Sequence, residues 1–157
     1  MLQKKRLTPG QALQNIKAFC AYQDRSHSEV KDRLYSFGLN TTEVDAIISE
    51  LIQEDYLNEE RFARSFARGK FRMKQWGRVK IKYELKQRQV SEYCIKKGLT
   101  EIDDDEYDKT LNNLIEQKSK TLKSEKNMFV KKRKLLDYLL QKGFERDIAL
   151  SAMSESK

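Results

Sequence analysis

Arg61, Arg64, Arg68 and Arg72 recur at intervals of three and four residues, the spacing that stacks side chains along one side of a helix. At 100° per residue the four fall within an arc of about 80°. Each guanidinium is a planar fork that donates two parallel hydrogen bonds to a phosphate or carboxylate, so a row of them suits a negatively charged polymer. Arg78, Lys82 and Lys86 make a comparable arc a few residues further on. A second basic cluster, Lys131, Lys132, Arg133 and Lys134, follows Met128, Phe129 and Val130. It lies inside an expected helix, so it reads as a solvated face or a second contact surface, with a nuclear-import signal as the lesser alternative.

Other chemistry is sparse. Catalysis needs a nucleophile, a base or a metal in convergent geometry, and the chain has one histidine, His27, in a polar stretch. It reads as a helix-cap or surface residue. Neither an HExxH pattern nor a glycine-rich phosphate loop occurs. The run Asp103 to Glu106 lacks the alternate-residue ligands and trailing glutamate of a calcium loop, whereas acidic residues at a helix start meet the helix dipole favourably. Cys20 and Cys94 sit beside apolar residues with no CxxC pair, and both read as buried thiols. The sequence therefore predicts no catalytic residue, no metal, no cofactor and no enzyme.

Charge is distributed in blocks. The net +8 divides into −3 over residues 1–60, +11 over 61–98, −6 over 99–116, +7 over 117–134 and −1 over 135–157. A block at +11 repels itself, which weakens an isolated fold and points to a polyanionic partner such as nucleic acid or a nucleoprotein; a merely soluble lysine-rich face is the plainer reading. With 38% hydrophobic and 36% charged residues in 157, the chain is lean for one globule, and an elongated molecule is expected. No stretch approaches the roughly 20 apolar residues of a membrane helix, and the N-terminus lacks the apolar run of a secretory signal. A cytoplasmic, soluble protein without membrane contact is expected.

The elements that must carry these residues are helical. The one proline, Pro9, follows Thr8 as at a helix start, and period-2 strand patterns are absent. Leu13, Ile16, Phe19 and Cys20 mark a first helix. Ser28 opens a second, with Val30, Leu34 and Phe37 before Gly38. Asn40 or Thr41 starts a third, and Asn58 caps a fourth. Ile81 to Val90 and Leu135 to Phe144 repeat the pattern of Val30 to Leu39. Such self-similarity predicts three tandem three-helix repeats, near 9–57, 58–100 and 103–154, stacked into a curved, elongated array. The cap position of the repeat reads Gly38, Gln89 and Gly143, so Gln89 stands where glycine is preferred. The last helix of the middle repeat is expected to run from Ser91 to Lys97 and stop at Gly98. In that repeat Phe62, Phe66, Met73 and Trp76 share the arc expected to face the core. Phe71 lies off it, open between packing on the next helix and an exposed contact.

The segment Leu57-Asn58-Glu59-Glu60-Arg61-Phe62-Ala63-Arg64-Ser65-Phe66-Ala67, with Gly77 and Ile81-Lys82-Tyr83-Glu84-Leu85, resembles the RecX motif L-(D/N)-(D/E)-x-R-F-A followed by G-x-x-x-(I/L)-x-x-E-L. Tyr138 to Phe144 with Ile148 is similar to that family's closing Y-L-x-x-(K/R)-G-F signature. The resemblance implies a bacterial regulator of the RecA recombinase, acting in recombination, DNA repair and the SOS response. It implies a protein that binds along the groove of a RecA filament on single-stranded DNA and suppresses its ATPase and strand exchange; the three basic sets found by spacing are the expected contact residues, and a monomer is expected. The alternative is a direct nucleic-acid-binding protein without a recombinase partner.

Overall fold

The computed structural model describes residues 6–155, and the regular structure among them is entirely α-helical. The elements are α1 (Pro9–Tyr22), α2 (His27–Ser36), α3 (Thr41–Gln53), α4 (Glu59–Lys74), α5 (Arg78–Gln87), α6 (Glu92–Leu99), α7 (Asp104–Thr121), α8 (Met128–Lys142) and α9 (Arg146–Glu155). Short polar side chains set the starts. Thr8, Ser26 and Asn40 each form a reciprocal capping box, with Gln11, Glu29 and Glu43 respectively. Asn58 accepts the Arg61 N–H at 2.9 Å, Asp103 the Glu106 N–H at 3.0 Å, and Asn127 the N–H groups of Phe129 and Val130. Such caps contribute about 1 kcal/mol each. The acidic run from Asp103 thus starts α7. The cap of α2 falls two residues earlier than expected, because Ser26 holds it while the Ser28 hydroxyl donates to the Arg88 carbonyl at 2.9 Å.

Among the described residues, five helices are followed by a left-handed residue, and glycine supplies only two of these. Gly38 and Gly143 have φ of 87° and 97°, but Asp55, Gln75 and Gln89 adopt φ of 62°, 57° and 60° with a side chain in place. At Gln89 the backbone still closes the helix: its N–H bonds the Lys86 carbonyl at 2.9 Å and the Val90 N–H bonds Leu85 at 3.1 Å. Gly98 does not stop a helix as the sequence suggests. It is buried inside α6, where a β-carbon would lie 2.7 Å from the Ala63 carbonyl oxygen. Its role is close approach of two backbones.

Packing divides the chain into two compact units, with the divisions falling inside α4 and α5 and at the last residue of α6. The first holds the segment up to Ser65 together with Leu85–Gly98. There α1, α2 and α3 pack on one another around Ile16, Val30, Leu34, Val44 and Leu51, with Cys20 in the same core; Cys94 is also buried. The second unit holds Phe66–Glu84 and the chain from Leu99 onward. In it α7, α8 and α9 pack together, with Tyr107, Leu111, Leu114, Ile115, Leu139 and Phe144 buried.

Of the four residues expected on the core-facing arc only Phe62 is buried, while Phe66 and Trp76 are half-buried. Met73 is 82% exposed, whereas Phe71 is 4% exposed and its ring lies 5.8 Å from Tyr107, which in turn lies 5.0 Å from Phe144. A single arc along the helix presumes a single core. The part of α4 after Ser65 belongs to the second unit and buries the side that carries Ala67 and Phe71 instead.

Replacing Gln89 by glycine removes the β-carbon from a left-handed position and is expected to stabilise the protein by up to about 1 kcal/mol, a rise of roughly 2–4 °C in Tm. Thermal unfolding by circular dichroism reads it; a Tm at or below that of the parent would mean the position carries no strain.

Candidate polyanion-binding surface

In the first unit Arg61 is anchored on three sides. Its Nε donates to Asp24 at 2.7 Å, Nη1 lies 3.1 Å from the Asp55 carboxylate, and Nη2 donates to the Asp55 carbonyl at 3.0 Å. The bond to Asp24 is the main cause that raises the Arg61 pKa above its ordinary value. Arg64 donates to Glu60 one turn back at 3.2 Å, and Lys86 lies 3.3 Å from Glu92.

In the second unit Arg68 pairs with Glu101 at 3.4 Å. Arg78 is the most engaged of the set. Its guanidinium stacks 3.9 Å from the centre of the Tyr107 ring, reaches Asp104 at 2.6 Å and Glu145 at 3.3 Å, and its backbone N–H donates to the Tyr107 hydroxyl at 3.0 Å. The Tyr107 hydroxyl donates in turn to Glu145. Burial, followed by that hydrogen bond, pushes the phenol well above its ordinary pKa, so it stays a neutral donor. Arg72 and Lys82, by contrast, are exposed and have no ion pair among the described residues.

The arginine row expected from spacing is therefore present on α4, but three of its four members face a carboxylate. This changes what they can do. A partly exposed pair contributes about 0–1 kcal/mol, so exchanging a surface carboxylate for a phosphate costs little at Arg64 and Arg68. Arg78, only 23% exposed at its side chain, would leave Glu145 without its cation and is better read as a fold-holding residue. In the other basic cluster Lys132, Arg133 and Lys134 are exposed, Lys131 is half-buried, and Lys134 reaches Glu125 at 3.5 Å. Met128 and Phe129 beside them are 61% and 75% exposed. A cleft of about 420 Å³ between α7 and α9 is lined by Asp108, Asp147 and Glu155 and repels a polyanion.

Spacing missed another group of cations, all in the second unit. Lys70 and Lys80 lie over the Trp76 indole at 5.0 and 4.6 Å from its centre, and the Lys142 ammonium donates to the Lys74 carbonyl at 2.9 Å. No local pattern could bring Lys142 to this place. The hint was Gly143, at the repeat's cap position, because Gly77 packs directly on its carbonyl.

The model of the RecX second three-helix domain matches residues 58–99, and that of the RecX third three-helix domain matches residues 104–153. The chain belongs to the RecX family. It is 29% identical to the regulatory protein RecX of Bacillus cytotoxicus over 141 residues, covering 89% of this chain and 52% of that one. To the regulatory protein RecX of Clostridium perfringens it is 32% identical over 124 residues, covering 78% and 58%. The chain thus spans a little over half the length of these relatives. The crystal structure of RecX from Lactobacillus salivarius shares the fold with a TM-score of 0.85 at 24% identity, over 94% of this chain and 96% of that one.

The lone histidine of this RecX-family chain is the first residue of α2 and half-buried. Its Nδ1 lies 3.8 Å from Glu59, and its Nε2 is buried without a hydrogen-bond partner among the described residues. Burial lowers its pKa, more than the Glu59 carboxylate raises it, and Lys31 lowers it further. The unfolded chain therefore binds the proton more readily, and this stability is present above the unfolded value of about 6.5 and lost as pH falls through the folded value. Stability should fall as pH drops from about 7 to about 5, and His27→Gln should flatten that part of the profile. Parallel denaturation profiles for the two proteins would contradict the assignment.

Proposed function

We propose that the chain regulates a RecA-type recombinase, binding the filament that the recombinase forms on single-stranded DNA and lowering its ATPase and strand-exchange activity. The observation that carries this reading is membership of the RecX family through two three-helix segments, with relatives named as regulatory proteins. The charge distribution supports the mode of binding. Residues 61–98 carry a net +11, and a filament lined by DNA and acidic protein surface attracts such a face by an interaction that salt weakens. In this reading Arg72 and Lys82 approach the filament as free cations. Arg64, Arg68 and Lys86 exchange partners, Arg61 and Arg78 hold the local fold, and Lys131 to Lys134 form a second contact.

Recombinase-dependent ATPase and strand exchange measured at graded amounts of the protein test this directly. The parent should inhibit both. Arg72→Glu/Lys82→Glu should need on the order of tenfold more protein for half inhibition, an energetic loss of about 1.4 kcal/mol, with its helicity and Tm preserved. Absence of inhibition by the parent would reject the function, and an unchanged double variant would remove these two cations from the contact.

A further inference from the structure

We propose that the tip where α7 turns into α8 docks on an anionic lipid surface, with Met128 and Phe129 entering the acyl boundary and the cations around them meeting phosphate headgroups. The inference goes beyond filament regulation and needs no recombinase. It departs from the expectation of no membrane contact, which weighed only spanning and secretory segments. No helix among the described residues is long and apolar enough to cross a membrane; attachment to its surface needs none.

Helices α7 and α8 pack on each other within the second unit, joined by the turn 122–127, and α8 outruns the core beneath it. At 100° per residue the buried Leu135, Leu136 and Leu139 share an arc of about 120° with Met128 and Phe129. Yet Met128 and Phe129 are 61% and 75% exposed, so the apolar stripe of α8 continues past the last side chains that cover it. Local bonds hold the pair in place. Asn127 accepts the N–H groups of Phe129 and Val130, and Lys134 reaches back to Glu125 in the turn at 3.5 Å. Adjacent large apolar side chains left in water and rimmed by charge mark an interaction surface.

The charge around that pair identifies what covers it. Residues 117–134 hold eight cations against one carboxylate. Lys120 pairs with Glu116 and Lys134 with Glu125, while Lys123, Lys126, Lys132 and Arg133 are exposed and without an ion pair among the described residues. Lys131, Lys132, Arg133 and Lys134 are consecutive, and a helix turns 100° at each step, so the four are distributed around the whole circumference of α8. A peptide or a nucleic-acid strand lying along α8 meets one side of it. A flat anionic sheet approached by the tip meets cations on every side at once, each adding an attraction that salt weakens. The apolar pair points the same way. Met128 has no ring on which a base could stack, whereas a thioether and a phenyl side by side suit the boundary between headgroups and acyl chains.

The full chain is mixed with vesicles of phosphatidylglycerol and phosphatidylcholine in equal parts, or of phosphatidylcholine alone, and the bound fraction is read by flotation without DNA or recombinase. Binding to the anionic vesicles alone is expected, weakening as salt rises. Met128→Ser/Phe129→Ser keeps the charge and should weaken binding on the order of tenfold. Lys132→Gln/Arg133→Gln keeps the apolar pair and should weaken it to a similar degree. All four side chains are exposed, and circular dichroism verifies that the helices persist. The charge-matched Lys96→Gln/Lys109→Gln, exposed on α6 and near the start of α7, should change binding by less than about threefold. Equal binding to both vesicles, binding to neither, parent-like binding by either tip variant, or equal weakening by the control pair would overturn the site. Full release by polyglutamate or an oligothymidylate, at the charge concentration of the accessible lipid, would give the tip to a soluble polyanion and overturn the assignment to lipid. Because the recombinase is absent, failure here leaves filament regulation standing, and loss of filament regulation leaves this site standing.

Discussion

The second unit depends on a contact between two backbones. Gly77 packs so closely on the carbonyl of Gly143 that a β-carbon at either position would collide, with that carbonyl in one case and with Lys80 in the other. Two hydrogen bonds across the contact, from Gly77 to Lys142 and from Val79 to Gly143, satisfy backbone groups that would be costly to bury unpaired. Everything chemical nearby inherits its position from this join. It fixes the start of α5, where Arg78 meets Tyr107, Asp104 and Glu145, and it brings Lys142 to Lys74 and Lys80.

Two kinds of cation result, with different work. Arg61, Arg64 and Arg68 lie against carboxylates and Arg78 against two carboxylates and a ring, and a fork that makes several bonds at once suits that role. Lys70, Lys74, Lys80 and Lys142 have no ion pair among the described residues; Lys70 and Lys80 lie over the Trp76 ring instead. Losing one surface ion pair changes stability by at most about 1 kcal/mol, while salt-dependent attraction to a polyanion grows with each unpaired cation brought to it. A protein that must hold its fold and, in the function proposed above, also associate electrostatically gains from keeping the two sets apart.

The helices and their caps were legible because capping and periodicity are local: Thr8, Asn40, Asn58 and Asp103 are written in the sequence as plainly as in the structure. The strained turn at Gln89 was legible too, through comparison with Gly38 and Gly143. Met73 and Phe71 were not, because one helix serves two compact units and a helical arc carries no signal of where one core ends. Gly98 read as a stop because glycine both ends helices and lets them touch, and only Ala63, distant in sequence, decides between the two. The arginine row was found by spacing, yet Asp24 and Glu101, which engage Arg61 and Arg68, lie far along the chain, so spacing could not say which guanidiniums were already engaged. For the same reason Lys142 was invisible as a neighbour of Trp76.

Gly77→Ala tests the join on which this account rests. A β-carbon forced against the Gly143 carbonyl should cost about 1–3 kcal/mol or more, and the loosened turn should expose Trp76. The account predicts a lower Tm together with red-shifted tryptophan emission in the native protein. A variant that melts with the parent and emits at the parent wavelength would contradict it.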